Sequence, residues 1–118
     1  SGKVPKVLQQ RAKLYAIMGR HGVAAIVHGD EHNYSRILID SEILGAPVSR
    51  PVWHLVTGGA GAPFYAQDKS VPWSKKVAVF DARQHYLRFM VDGDDCYVEA
   101  ISREGGLIDR FNAAVPRK

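Results

Sequence analysis

The chain has 118 residues, of which 46% are hydrophobic and 24% are charged, and this is the usage of one ordinary globular domain. Its formal charge of +4 comes from lysines and arginines that are spread along the chain rather than gathered in a basic stripe, so we expect no nucleic-acid partner. No run reaches the roughly 18 apolar residues of a membrane span, so we expect no membrane partner either, and the single Cys96 excludes both an internal disulfide and a four-cysteine zinc site.

The first predicted element is a helix. Residues 6–19 place their apolar side chains at helical spacing. Pro5 suits the first turn of a helix, and Gly19 or Gly22 suits its end. Residues 1–2, Ser-Gly, are interpreted as an expression scar.

The rest of the chain predicts strands. The apolar run 23–27 between two glycines is typical of a short buried strand, and 35–40 and 52–57 predict two more. Residues 43–51 contain Gly and Pro and predict a loop or an edge. From residue 76 onward, β-type runs separated by Gly and Asp turns predict a meander of short strands. The chain is therefore predicted to be a single α+β unit, 1–118, with one N-terminal helix followed by a mostly antiparallel β-sheet of six or seven strands.

The densest group of chemically active residues is "VHGDEHNYSR", residues 27–36. Its "HGDEH" fits the H-x-x-E-H pattern of zinc peptidases, with His28 and His32 as ligands and Glu31 beside them. That pattern requires a helix, because only a helix turns residues i and i+4 to the same side. Here His28 directly follows a β-type run and Gly29 lies inside the pattern, so a strand that ends near residue 28 would argue against a peptidase.

A second interpretation places these residues on a loop that leaves the C-terminal end of a strand, where layered α/β proteins bind ligands. Gly29 would let the backbone turn tightly. Asp30 and His32, two positions apart, would then present a carboxylate and an imidazole, a donor set that suits Mn, Fe or Zn.

The longer stretch "HGVAAIVHGDEHNYSR" resembles the C-terminal signature of the calcineurin-like metallophosphoesterases, especially the purple-acid-phosphatase-like branch. In that family a strand runs into G-H-x-H, followed by an aromatic residue and Arg, and here Gly29, His32, Tyr34 and Arg36 match. The upstream "LYAIMGRHGVAAIV", the downstream "HLVTGGAGAP" and the tail "YLRFMVDGD…VEAISREGGLIDRF" resemble the family's flanking helix, strands and glycine turn in the same order.

This resemblance implies the C-terminal half of an αββα sandwich in a phosphatase of the hydrolase class, in which metal-activated water attacks a phosphate ester. It implies Asp30 and His32 as metal ligands, with two divalent ions (Mn, Fe, Zn or Mg) in the intact protein. It also implies Asn33, Tyr34 and Arg36 as substrate-binding residues. From the residues alone, Arg36 is equally suited to holding a phosphate and to pairing with a carboxylate.

The sequence departs from the family pattern in two places. Asp30 stands where the family has the first His of G-H-x-H. An oxygen donor there either favours Mg or Mn over Zn or marks a site that has lost its ion, in which case this chain binds none. The family's D-x-H, G-D-x-x-D and G-N-H-[ED] blocks do not precede residue 29, and a two-metal centre with ions about 3.5–4 Å apart needs their carboxylates. We therefore assign no catalytic residue and expect this chain to be inactive alone, with its metal set incomplete. The alternatives are a non-catalytic interaction or structural module and the zinc peptidase.

Two further expectations concern packing. The glycine-rich turn after strand 52–57 is expected to pack tightly beside the His32 loop, through Gly58, Gly59 and Gly61, as Gly29 does within that loop. A chain that holds only half of a sandwich leaves an apolar sheet face uncovered, so we expect a homodimer. The candidate contributors to that face are Val52, Leu55, Val77, Val79, Leu87 and Phe89.

Overall fold

The computed structural model describes residues 3–29, 31–61 and 74–114. In these ranges the chain forms one long helix, two short helical turns and seven strands. The helices are α1 (Lys3–Arg20), α2 (Ser41–Leu44) and a 3₁₀ turn (Ser74–Lys76), and the strands are β1 (Ala25–His28), β2 (Tyr34–Ile39), β3 (Val52–Thr57), β4 (Val77–Asp81), β5 (His85–Asp92), β6 (Asp95–Ser102) and β7 (Leu107–Asn112). No helix in the described part of the chain is both long and apolar enough to span a membrane.

The strands form two sheets rather than the single sheet that the sequence predicts. The first sheet has the order β1-β3-β2-β4, and the second is the meander β5-β6-β7. Among the described strands, every pairing is antiparallel except that of β1 with β3, which run parallel. The α+β class, the N-terminal helix and the mostly antiparallel strands are thus confirmed, while the division into two sheets is a correction.

One face of the first sheet is covered by α1. Tyr15 on the inner side of α1 is 5% exposed and packs with Ile37, Ile39 and Val52. The helix ends at Arg20, and Gly22 follows with a φ of 72° that favours glycine. Gly19 lets the last turn lie against the backbone of Arg50, because a Cβ at Gly19 would stand 2.7 Å from the Arg50 carbonyl oxygen.

The other face of the first sheet packs on the second sheet. Side chains in a strand alternate between the two faces, so Trp53 and Leu55 point away from α1. They form a core with Val98 of β6 and with Ala113, which follows β7. The described elements therefore stack as helix, sheet and sheet.

Two local expectations need correction. The run 23–27 was expected to be a buried strand, but β1 lies at the edge of its sheet and Val27 is 43% exposed.

Residues 43–51 were expected to be loop or edge, but the first two of them belong to α2. Asp40 caps this short helix, its Oδ1 accepting a hydrogen bond from the Ile43 N–H at 3.0 Å, and Gly45 ends it at a φ of 70°.

Candidate functional site

The candidate site lies at the end of the first sheet where the parallel strands β1 and β3 both finish. The turn after β1 begins at Gly29, whose carbonyl oxygen accepts a hydrogen bond from the Glu31 N–H at 2.9 Å. The Gly58 N–H, directly after β3, donates to the Asn33 carbonyl oxygen at 3.0 Å. The turn after β1, which the structure describes at Gly29 and at residues 31–33, is therefore tied through Asn33 to the glycine-rich turn after β3.

The structure describes only one of the two predicted metal ligands. Asp30 lies outside the described residues, and His32 is half-buried on the loop between β1 and β2. Within residues 3–29, 31–61 and 74–114, no group of three or more His, Cys, Asp and Glu side chains is arranged to hold a metal ion. The ligand assignment of Asp30 and His32 stays a prediction.

Tyr34 and Arg36 point from β2 into the space between the two sheets. There they meet Asp109 of β7, which is 9% exposed. The Arg36 Nε donates to Asp109 Oδ2 at 2.8 Å and its Nη2 donates to Oδ1 at 3.1 Å, which makes a bidentate pair. The Tyr34 hydroxyl donates to the same Oδ2 at 2.5 Å. Burial, reinforced by the Asp109 carboxylate, raises the pKa of Tyr34 and keeps its hydroxyl protonated as a donor.

Two aromatic rings complete the surroundings of the Arg36 guanidinium. Its central carbon lies 4.7 Å from the Trp53 ring centroid and 4.3 Å from that of Phe111, within cation–π range. Of the two roles left open for Arg36, the described contacts are those of the pair with a carboxylate. Asn33 is also buried, at 6% exposure, so these three candidate substrate-binding residues lie largely inside the fold.

His85, at the start of β5, joins the second sheet to the glycine-rich turn. It is 5% exposed, and its Nε2 lies 2.8 Å from Thr57 Oγ1, while its Nδ1 donates to the Arg83 carbonyl oxygen at 2.9 Å. The ring meets Tyr34 edge to face at a centroid distance of 5.5 Å. A Cβ at Gly59 would overlap this ring, so the absence of a side chain at Gly59 is what admits His85.

The other predicted turn glycines differ in what they do. Gly61 has a φ of 90°, a backbone conformation that is strained for any residue with a Cβ. Gly29 is not among the described glycines of positive φ, and the nearest described atom to a Cβ built there is the Thr57 carbonyl oxygen at 3.9 Å. The described residues therefore leave room for a Cβ at position 29, and crowding by them does not explain why this residue is glycine.

Sequence reasoning missed one pair of residues near this edge. His28 at the end of β1 and His54 on β3 both face the α1 side of the sheet, and their Nε2 atoms are in hydrogen-bond contact. The ring centroids are 4.4 Å apart. Burial lowers the pKa of His54 to about 4, with His28 and Arg11 adding to the effect. No pattern in the sequence signals this contact, because it depends on the parallel register that sets Ile26 opposite His54 and His28 opposite Val56.

Comparisons with known proteins do not identify the chain. No protein-family model matches it, and no curated protein sequence matches it at a significant level.

Proposed function

We propose that this chain is the C-terminal part of a metal-dependent phosphoesterase, and that Asp30 and His32 supply ligands to its metal centre. In the intact protein, upstream carboxylate, Asn and His ligands would complete two metal positions, and a metal-activated water would attack the phosphorus of a phosphate ester. The Asp30 carboxylate, with its hard oxygen donor, suits Mg²⁺ or Mn²⁺ at its position.

The observation that supports this proposal is the position of the loop. Gly29 follows directly on β1, which ends at His28, and Asn33 accepts a hydrogen bond from Gly58 in the turn that follows the parallel strand β3. Loops at the C-terminal ends of parallel strands are where layered α/β proteins bind their ligands. The order of motif residues along the chain, Gly29, His32, Tyr34 and Arg36, supports the same assignment.

The strand that ends at His28 also bears on the peptidase alternative. An H-x-x-E-H site needs a helix that carries both histidines on one side. His28 is instead the last residue of β1, and residues 31–33 form bends. The described backbone does not provide the helix that the peptidase requires.

One observation favours the alternative of a non-catalytic module. Tyr34 and Arg36 both bind Asp109 between the sheets, so two of the motif residues that resemble a substrate site hold the sheets together. A chain whose motif residues serve packing needs no metal at the loop. The experiment below separates the two proposals.

The test uses the natural reading frame extended upstream of Lys3. The phosphoesterase proposal expects D-x-H and G-N-H blocks there, and expects the extended protein to hydrolyse p-nitrophenyl phosphate or bis(p-nitrophenyl) phosphate with Mn²⁺, Fe²⁺, Zn²⁺ or Mg²⁺. His32→Ala and Asp30→Ala should each lower kcat by about 100-fold or more, since each removes a ligand of the activating metal. Asp81→Asn is the control and should leave kcat unchanged. A missing set of upstream blocks would leave the non-catalytic module as the better proposal. Metal-dependent activity that survives His32→Ala would show that His32 is not a ligand of the activating metal, so that this chain is a non-catalytic part of the extended protein.

A further inference from the structure

A cavity of about 120 Å³ lies beneath α1, on the face of the first sheet that α1 covers. Its wall is largely aliphatic, with Ile37 and Ile39 contributed by β2 and Ile43 and Leu44 contributed by α2. These four side chains offer a water molecule no hydrogen bond. An engineered cavity of about 150 Å³ with a lining of this kind binds benzene, so the present cavity has room for one ring or a short branched chain.

Three side chains with polar groups line the same cavity. Arg11 and Tyr15 stand at positions i and i+4 of α1 and therefore on one side of the helix. Arg11 is exposed, which places it at the mouth, whereas Tyr15 is 5% exposed and lies deeper. His54 comes from β3, where it pairs with Ile37 of the wall, and its ring centroid is 6.4 Å from that of Tyr15. A guanidinium and a phenol, both hydrogen-bond donors, thus border an apolar space.

The charge at the mouth acts on the interior of the cavity. Burial raises the pKa of Tyr15, and the positive charge of Arg11 opposes that rise. The two carboxylates closest to the α2 wall are directed to other partners, because Asp40 caps α2 and Glu42 Oε1 lies 2.7 Å from Lys76 Nζ. An anion that enters the cavity therefore meets a cation that these two carboxylates do not neutralise.

We propose that this cavity binds a small monocarboxylate whose apolar body has about the volume of one benzene ring. The body would lie against the isoleucines of β2, and the carboxylate would accept charge-assisted hydrogen bonds from the Arg11 guanidinium. An inorganic anion would leave the aliphatic wall unfilled, and a neutral hydrocarbon would leave the guanidinium unused. The site uses neither Asp30 nor His32, so it goes beyond the phosphoesterase proposal and either can fail without the other.

The test is a titration of the ¹⁵N-labelled full chain with benzoate, followed by backbone amide chemical shifts. We expect saturable shifts at the residues of the wall, with one site and a Kd of about 1 mM or lower. Benzyl alcohol has the same ring without the charge, and acetate has the charge without the ring. Each should bind at least about tenfold more weakly than benzoate, since each loses one of the two contributions.

Two substitutions with matched charge separate the site from general attraction to a basic helix. Arg11→Met keeps the length of the side chain and removes its charge, so it should weaken benzoate binding by about tenfold or more and leave benzyl alcohol binding unchanged. Lys13→Met removes the same charge from the exposed side of α1 and should leave both affinities unchanged. Leu44→Trp replaces a half-buried wall residue with a side chain that fills the cavity, and should abolish binding while the circular dichroism spectrum matches that of the parent chain.

Several outcomes would overturn the site. One is the absence of saturable shifts at the wall residues. Equal affinities for benzoate and benzyl alcohol would show that Arg11 does not select a carboxylate, and equal affinities for benzoate and acetate would show that the cavity is not filled. Equal losses in Arg11→Met and Lys13→Met would indicate attraction to the net charge alone. This last comparison decides the question even if Leu44→Trp fails to fold.

Discussion

Arg36 is the residue for which the sequence leaves two roles open, phosphate binding and pairing with a carboxylate, and the described contacts are those of the second. Its guanidinium lies between the Trp53 and Phe111 rings and donates two hydrogen bonds to Asp109. The Arg36 side chain is 14% exposed and that of Asp109 is 7% exposed. A charge in such surroundings depends on its partner, because little water remains to solvate it.

We predict that Asp109→Asn lowers the free energy of unfolding by about 3 kcal/mol, since breaking one side of a buried ion pair leaves the other charge uncompensated. Urea unfolding followed by circular dichroism measures this. Asp81→Asn is the control, because Asp81 pairs with an Arg83 side chain that is 56% exposed, and exposed pairs contribute little. The triple variant Tyr34→Phe/Arg36→Met/Asp109→Leu should recover much of the loss, because it removes both charges together with the hydroxyl that donates to Asp109. A loss in Asp109→Asn no larger than that in Asp81→Asn would contradict the prediction.

At the scale of elements, the turn after β3 and the start of β5 are held together by one ring. His85 is fixed on both nitrogens, by Thr57 and by the Arg83 carbonyl oxygen. A new methyl group at Gly59 would stand 3.1 Å from that same carbonyl oxygen and would overlap the ring. The ring cannot swing aside without breaking both contacts.

We predict that Gly59→Ala destabilises the fold by about 1–3 kcal/mol, the usual cost of forcing extra volume into a packed site. Thermal unfolding followed by circular dichroism gives the difference. Gly29→Ala is the matched control at the neighbouring loop, where the nearest described atom is 3.9 Å from the added Cβ. Equal melting temperatures for Gly59→Ala and the parent chain would show that His85 is free to move.

The elements themselves were predictable where the pattern was local. The helix predicted over 6–19 is found at Lys3–Arg20, and the strand predicted over 52–57 is found at Val52–Thr57. α2 was missed because its four residues are too few for a periodic pattern, and its signals are Asp40 as a cap and Gly45 as a stop. An apolar run does not show whether a strand lies at the edge or in the centre of its sheet. The run 23–27 therefore predicted a buried strand, whereas β1 is at the edge.

Pairings between distant residues were not predictable. The order β1-β3-β2-β4 and the parallel register of β1 with β3 are set by packing between distant segments, as in the pairing of Ala25 with Trp53, 53 − 25 = 28 positions along the chain. The same holds for Arg36 and Asp109, which are 73 positions apart in the chain. The sequence indicated the candidate site at Asp30 and His32. It did not indicate that the neighbouring Tyr34 and Arg36 bind Asp109.

For the molecule as a whole, the first question is whether it catalyses anything unaided. Its motif offers two predicted ligands, and the described residues hold no group of three metal-binding side chains. Bridging two ions requires more carboxylates than this motif supplies.

We predict that the 118-residue chain hydrolyses p-nitrophenyl phosphate no faster with Mn²⁺, Fe²⁺ or Zn²⁺ than the same ions do without protein. The double variant Asp30→Ala/His32→Ala is the control for contaminating phosphatases, since any background should persist in it. Turnover that is present in the parent chain and lost in the double variant would contradict the prediction and would mean that the centre is complete.

The second question is whether the chain covers its own apolar surface. Val52 and Leu55, which the sequence offered as part of an uncovered face, are fully buried within the chain. Exposed apolar side chains lie both on α1, at Leu8, Leu14 and Ile17, and on the second sheet, where Phe89 is 45% exposed and Val91, at 75%, is the most exposed of them. Phe89 and Val91 lie on β5, which among the described strands pairs only with β6 and so presents an open edge.

We predict that the chain is a two-fold dimer in which the β5 strands of two copies pair edge to edge. Such pairing would satisfy unpaired backbone groups and bring the apolar side chains of both copies together, and each large apolar side chain removed from water contributes about 1.5–3 kcal/mol. A two-fold axis across antiparallel β5 strands makes the contact self-complementary, so the assembly closes at two copies.

Sedimentation equilibrium at micromolar concentration should give twice the chain mass. Val91→Lys should give a monomer, because a lysine on an edge strand opposes pairing, whereas Leu14→Lys on the exposed side of α1 should leave the dimer intact. A monomeric parent chain would refute the dimer, and a dimer that survives Val91→Lys but not Leu14→Lys would move the contact from β5 to α1.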